Sequence, residues 1–252
     1  MDATHHFAFT GRKILVTGAT SGIGRACAIY LAGCGAYVIA TGRDRTRCEA
    51  LGAELGERGL RMVADMSSET DIDRLMSEIA RRHGNLDGAV INAGVSPHTE
   101  LGALDRMTYD SVMDVNVKGA VFTFARALPL LADGASVVFV GSVAANKGQP
   151  GDALYAGSKG FIRSFARNLG TSPDLMARGI RVNVESPGPI ETPMTAAATT
   201  DVDIRRYVEN MIPMNRWGRP EEVANSIAFL LSPVSGFTTG ADLAVDGGMS
   251  FV

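Results

Sequence analysis

Tyr155 and Lys159 stand four positions apart in DALYAGSKGF (152–161), in a chain with twenty arginines and only four lysines. On a helix, positions i and i+4 share a face, so phenol and ammonium point the same way. A phenol with a pKa of about 10 is a poor proton carrier at neutral pH. A cation about 4 Å away, at an effective dielectric of about 20, contributes roughly 4 kcal/mol, some three pKa units at most before desolvation opposes it. Such a pair could exchange a proton with a carbonyl or alcohol oxygen. An isolated pair of this kind is equally a core-capping tyrosine beside a snorkelling lysine, so its meaning depends on its surroundings. Ser142, in VGSVA at the end of an apolar run, offers a hydroxyl to hold the same oxygen as charge develops on it.

A second cluster lies near the start of the chain. ILVTGATSGIGRACAIYLA (14–32) sets Gly18, Gly22 and Gly24 between a strand-like run and a helical pattern. Glycines permit a tight turn and close backbone approach, and the following helix N-terminus offers unpaired N–H groups to a pyrophosphate. A tight loop using glycine for conformation alone is the plainer alternative.

The elements that must carry these clusters alternate along the chain. Runs apolar on both faces occur at 13–17, 36–40, 60–64, 86–91, 136–140, 180–184 and 242–245, and helical patterns at 24–33, 46–58, 69–83, 105–131, 155–170 and 220–231. Strands apolar on both faces belong in a parallel sheet covered by helices. The expectation is an α/β chain, one doubly wound domain over 1–252, with about seven parallel strands and helices on both faces. Parallel sheets of this kind present sites at the carboxyl ends of their strands, where Ser142 falls. The long irregular segment 187–217 has the size of an active-site lid.

The glycine spacing, Gly-x-x-x-Gly-x-Gly, resembles the first turn of the short-chain dehydrogenase/reductase family, TGxxxGxG. The resemblance covers essentially the whole chain. DM (65–66), NAG (92–94), Asn116 in DVNVKG, Ser142, Tyr155 and Lys159 in YAGSK, and SPGPIET (186–192) follow in family order. It implies a Rossmann-type fold and a nicotinamide dinucleotide cofactor. It also implies a catalytic set of Asn116, Ser142, Tyr155 and Lys159, with Tyr155 as general acid/base in a hydride transfer between cofactor and a carbonyl or secondary alcohol. Lys159 would also bind the nicotinamide ribose, and Asn116 would support a proton-relaying water, although an Asn in a helical stretch can equally bond a local backbone group. Gly18, Thr20, Ser21, Gly22, Ile23 and Gly24 would hold the dinucleotide. Asp65 would meet the adenine amino group and Met66 its ring, with Asn92, Ala93 and Gly94 along the adenosine ribose. Pro187, Gly188, Ile190 and Thr192 would embrace the nicotinamide.

VIATGRDRTR (38–47) bears on the choice of cofactor. A carboxylate at the end of the second strand accepts the ribose hydroxyls of NAD and repels a 2′-phosphate. Here Gly42 stands at that position and Arg43 follows, which favours NADP(H) while leaving NAD(H) possible. Arg43, Arg45 and Arg47 as a solvated basic start to the next helix is the alternative, and Asp44 is expected to face solvent or cap that helix.

Composition narrows the partners. Net charge is −3, and the basic residues are scattered, so neither nucleic acid nor an anionic membrane is expected as a partner. Cys27, Cys34 and Cys48 lack metal or disulfide spacing, and MDATHHFAFTG lacks the pattern of a secretory signal, so a cytoplasmic protein with reduced thiols and no metal is expected. Gly157 and Gly160 would cost about 1 kcal/mol each in a helix interior. With Ser164 they form a small-residue face, expected to meet another helix, either of a second subunit in a homodimer or homotetramer or within the chain. Glu185 stands where an apolar residue is usual and must find a donor or a wet pocket. His98 could line a substrate mouth or be incidental, and Met194, Met211, Met214 and Trp217 fit an apolar lid or core packing. A catalytically silent dinucleotide sensor is the contrasting reading, as is an enzyme that oxidises only transiently; Ser142, Tyr155 and Lys159 together argue against the sensor.

Overall fold

The computed structural model describes residues 7, 9–98, 100–148 and 151–252. Seven strands, β1 (Lys13–Val16), β2 (Tyr37–Gly42), β3 (Gly59–Val63), β4 (Leu86–Ile91), β5 (Leu131–Val140), β6 (Arg181–Pro187) and β7 (Asp242–Val245), form one sheet in the order β3-β2-β1-β4-β5-β6-β7. Every neighbouring pair is parallel.

Alternation along the four central strands β1, β2, β4 and β5 feeds two cores. Val137 and Phe139 of β5 join one apolar cluster, and Val138 and Val140 join the other. The first is closed by α3 (Glu69–His83), α5 (Ala120–Ala127) and α6 (Ala153–Leu169), through residues such as Leu75, Phe124 and Ile162. The second is closed by α1 (Gly22–Gly33), α2 (Arg45–Leu55) and α10 (Pro220–Leu231), through Leu31, Leu51 and Ile227. A strand buried on both faces is therefore what the uninterrupted apolar runs encode. No helix among the described residues is long and apolar enough to cross a membrane.

Three expectations need correction. The helical pattern at 105–131 is not one helix. It comprises α4 (Arg106–Met113), a π-turn over Asp114–Gly119, α5 and a short 3-10 turn, and β5 begins as early as Leu131. Gly119 lies so close to Met66 that a Cβ there would stand 2.2 Å from its carbonyl oxygen, so the widened turn passes directly against the loop after β3. The pattern at 46–58 ends at Leu55, because Gly56 turns the chain at φ +57°.

The segment 187–217 is not irregular throughout. It carries α8 (Ala196–Thr200) and α9 (Val202–Asn210), preceded by a 3-10 turn at Pro193–Thr195. A parallel bridge between Ile190 and Gly218 closes its base. Val208, Ile212 and Trp217 pack with Val143 and Met249 into a third, small core. The sequence adds one short helix more, α7 (Pro173–Ala177), started by a proline at its first position.

Candidate active site

The strand order reverses between β1 and β4, and the loops leaving those two strands meet there. Gly18 adopts φ +62°, and a Cβ on it would lie 2.9 Å from the Cα of Ala93. A Cβ on Gly24 would lie 2.3 Å from the Gly18 carbonyl oxygen, so the first turn of α1 sits directly on the strand end. The Asn92 amide donates to the Thr17 and Gly18 carbonyls at 2.9 and 3.2 Å. The Thr17 hydroxyl accepts from the backbone N–H groups of Asn92 and Ala93. Asn92 is thus spent on holding the glycine turn in shape.

A cleft of about 380 Å³ opens over this junction. Gly18, Thr20, Ser21, Gly22, Ile23, Arg43, Asp65, Met66, Asn92, Ala93, Gly94 and Thr192 line it. It shares Ile23, Asn92, Gly94 and Thr192 with an adjoining recess of about 110 Å³, whose walls include Ser142, Tyr155, Lys159, Pro187, Gly188 and Ile190. Residues from eight separate stretches of sequence therefore face one continuous channel. Gly24 and Asn116 line neither part; Gly24 packs behind the turn, and Asn116 is buried. Met194, expected in the lid or the core, lines the channel too, as do Val95 and Val115, which the sequence does not single out because one apolar residue in a loop or a π-turn carries no periodic signal.

At the inner end, Ser142 lies two residues beyond β5, and its hydroxyl accepts from the Ala144 N–H at 3.1 Å. Ser142 and Tyr155 face each other across the same recess. Lys159 is 5 % exposed and donates from Nζ to the Val140 carbonyl at 2.8 Å. The ammonium lies over the Tyr155 ring, 5.7 Å from its centre. Burial holds the Tyr155 phenol above its ordinary value, with Ser142 opposing and Asp152 adding to the rise. The expected depression of Tyr155 by Lys159 is therefore not what this arrangement gives: desolvation outweighs a cation placed at the ring face. Burial also lowers Lys159, to about 8, against the opposing pull of the Glu185 carboxylate.

Asn116 sits within the π-turn and does not bond its local backbone. Its Oδ1 accepts from the Val95 N–H at 2.8 Å, and its Nδ2 donates to the Val95 carbonyl at 2.9 Å and to Ser158 Oγ at 3.0 Å. Ser158 in turn donates to the Tyr155 carbonyl at 2.7 Å. Asn116 so ties the loop after β4 to α6, and π-turns often mark such functional positions.

At the outer end, a Cβ on Gly42 would stand 2.4 Å from Thr20 Cγ2, so this position takes no side chain while Thr20 stays where it is. Asp44 caps α2, accepting from the Arg47 N–H at 3.0 Å, and its carboxylate lies 3.7 Å from Arg47 Nε. Arg43 is exposed and forms no ion pair among the described residues. An open guanidinium, a glycine cradle and the N-terminus of α1 in one groove fit a phosphate-bearing dinucleotide.

The remaining sequence features divide. Glu185 is fully buried; Ser226 Oγ donates to its Oε1 at 3.3 Å, while Oε2 has no partner among the described residues. Burial drives its carboxyl well above the usual range, with the Ser226 hydrogen bond and the Lys159 ammonium opposing the rise. His98 packs its ring against Gly151, where a Cβ would come within 2.5 Å. Trp217 and Met211 belong to the third core, whereas Met194 and Met214 are exposed. A Cβ on Gly157 or Gly160 would meet nothing within 4 Å, so packing within the chain does not explain these glycines.

A family model described as enoyl-(acyl carrier protein) reductase matches residues 18–250. The oxidoreductase asL5 of Sarocladium schorii is 36% identical over 244 residues, covering 96% of each chain. The 3-oxoacyl-[acyl-carrier-protein] reductase FabG of Escherichia coli is 33% identical over 247 residues, 97% of this chain and 99% of its own. Among solved structures, the RhlG/NADP active-site complex of Pseudomonas aeruginosa superposes with a TM-score of 0.92 at 32% identity, covering 98% of this chain and 99% of that one. With its sheet order, its glycine turn and these matches over nearly its full length, the chain belongs to the short-chain dehydrogenase/reductase family of oxidoreductases.

Proposed function

We propose that the chain is an NADP(H)-dependent reductase that interconverts a ketone or aldehyde and the corresponding alcohol. The observation that carries this reading is the meeting of Ser142, Tyr155 and Lys159 in the walls of one recess, at the inner end of the channel that the glycine turn opens. When bound, the nicotinamide supplies hydride to the carbonyl carbon or takes it back. Ser142 holds the substrate oxygen, and Tyr155 gives that oxygen a proton as charge develops on it. A phenol kept protonated by burial suits the reducing direction, since it enters the reaction as the acid. Lys159 holds the ribose beside the nicotinamide, and Asn116 steadies α6 and a water that restores the proton.

Arg43 is assigned to the 2′-phosphate, supported by the closeness of Gly42 to Thr20 and by the inward commitment of Asp44 to its helix cap. NAD(H) is the second reading, because Asp44 and Arg43 line the same groove. Relatives named for NADP and for 3-oxoacyl reduction favour the first. The segment 187–217, with α8 and α9, is assigned to the substrate lid over a single domain. The open glycine face of α6 is assigned to assembly of a cytoplasmic homo-oligomer.

The test is a panel of ketones, 3-oxoacyl thioesters, sugars, steroids and a 2-enoyl thioester, followed by loss of NADPH absorbance. Turnover of a carbonyl member that Tyr155→Phe lowers about 100-fold or more, with cofactor affinity nearly intact, is the expected result. Unchanged turnover in that variant would refute the assignment.

A further inference from the structure

Lys159 and Arg163 lie four positions apart on α6 and face the same part of the sheet. Arg163 Nε stands 2.8 Å from Asp242 Oδ2, and the Asp242 side chain is only 11% exposed. The N–H is not aligned for a hydrogen bond, so this contact is an ion pair held by charge and confinement. The other carboxylate oxygen, Oδ1, accepts from Ser186 Oγ at 2.5 Å. Ser186 is buried at the end of β6, immediately before Pro187 and Gly188 in the channel wall. Its hydroxyl occupies the space that a side chain at Gly141 would take, since a Cβ there would lie 2.7 Å from it, and the Gly141 N–H donates to the neighbouring Glu185 carbonyl at 2.7 Å. Gly141 directly precedes Ser142.

One carboxylate therefore touches the helix that carries Tyr155 and Lys159, and through one serine it reaches the strand ends that carry Ser142 and the Pro187–Gly188 wall. Lys159 makes a second polar link from this face of α6, donating to the Val140 carbonyl at the end of β5. A close ion pair to a carboxylate so little exposed to water is weakly screened, which suits it to holding a helix against strand ends. A reaction that needs its proton donor and its oxygen-holding group within a fraction of an ångström loses rate steeply when such a support slackens.

We propose that Asp242 is a positioning residue, which through Arg163 and Ser186 sets the distance between Tyr155 on α6 and Ser142 just beyond β5. The proposal rests on the reading that Tyr155 and Ser142 carry the reaction. Asp242 lines neither part of the channel.

The experiment measures kcat, KM for the carbonyl substrate, cofactor dissociation constant and melting temperature for Asp242→Asn, Asp242→Ala, Ser186→Ala, Arg163→Met and Arg163→Lys in the full chain, with Tyr155→Phe in parallel. In Asp242→Ala and Arg163→Met, kcat is expected to fall about tenfold or more while cofactor affinity stays within about twofold. Arg163→Lys, which keeps the charge, restores most of the rate. Ser186→Ala, which leaves the ion pair intact, lowers kcat by itself, and the double variant Ser186→Ala/Arg163→Met is no slower than the slower single. Should Asp242→Ala fail to fold, Asp242→Asn and Ser186→Ala give the same comparison. Rates within twofold of the parent with a lowered melting temperature, or a loss carried wholly by cofactor affinity, would overturn the proposal. Full activity in Tyr155→Phe would instead overturn the proposed chemistry, which the parallel measurement identifies separately.

Discussion

The Lys159 ammonium stands over the Tyr155 ring, 5.7 Å from its centre, while its hydrogen bond goes to the Val140 carbonyl at 2.8 Å. The cation is thus anchored to a strand end, in a place dry enough to bring its own pKa to about 8. Burial depresses a lysine by disfavouring the ammonium, so the charged form present at neutral pH is lost as pH rises through about 8. Tyr155 is shifted upward and remains protonated over that interval. The rate of carbonyl reduction is therefore expected to fall as pH passes about 8, and Lys159→Met is expected to be slow with that limb missing. A pH–rate profile for both proteins checks this, and a parent profile flat to pH 10 would contradict it.

Glu185 offers a stability measurement. Its carboxyl is raised in the folded protein above the unfolded value of about 4.3, so the protonated form is the one the fold favours. The contribution is complete below the unfolded value and drains away as pH rises towards the folded one. Glu185→Gln, neutral at every pH, is expected to match the parent near pH 4 and to exceed it by about 1–3 kcal/mol at pH 8, the scale of an unsatisfied buried polar group. Denaturant midpoints at the two pH values decide it; a gap that does not widen with pH counts against it.

Arg43 separates the two cofactors. Loss of a charge-assisted phosphate contact costs about 1.5–3 kcal/mol, so Arg43→Ala should raise the KM for NADPH about 10- to 100-fold and leave that for NADH nearly unchanged. Gly42→Asp should not convert the preference by itself, because its Cβ meets Thr20 Cγ2 at 2.4 Å. Parallel kinetics with both cofactors test both statements, and equal losses with NADPH and NADH would remove Arg43 from the phosphate site.

Gly24 has a structural task that the channel lining does not reveal. In Gly24→Ala the new methyl would lie 2.3 Å from the Gly18 carbonyl oxygen and 2.5 Å from Asn92 Nδ2. Relief requires α1 to move off the strand end, at a cost of about 1–3 kcal/mol. Lower thermal stability and weaker cofactor binding, seen together by calorimetry and fluorescence titration, are expected. Binding equal to the parent's would show that the turn tolerates the shift.

The glycine face of α6 is tested by Gly157→Leu. Nothing in the chain stands within 4 Å of the added Cβ, and leucine favours helix over glycine by nearly 1 kcal/mol, so the fold should keep its stability. Light scattering is expected to report a smaller assembly than the parent forms. The same assembly in both proteins would leave the face without that role.

The amino-acid sequence by itself determined the sheet, the helices that cover it and the identity of the channel's main residues. Strands apolar on both faces and a glycine triplet before a helix are local patterns, and local patterns dictate local conformation. The break at Asn116 escaped it, because the apolar period runs on through the π-turn, and the reason for the turn lies at Met66 and Val95, far off in the chain. The helices of 187–217 escaped it for a related reason: α8 is short and α9 buries only Val208, which leaves little period to read. Tertiary structure alone decided that Lys159 faces the Tyr155 ring, that Glu185 is sealed beside Ser226, and that Asp242 joins Arg163 to Ser186. Each of these depends on which residues the parallel register and the crossovers bring within a few ångströms, and electrostatic consequences follow distance and burial rather than order along the chain.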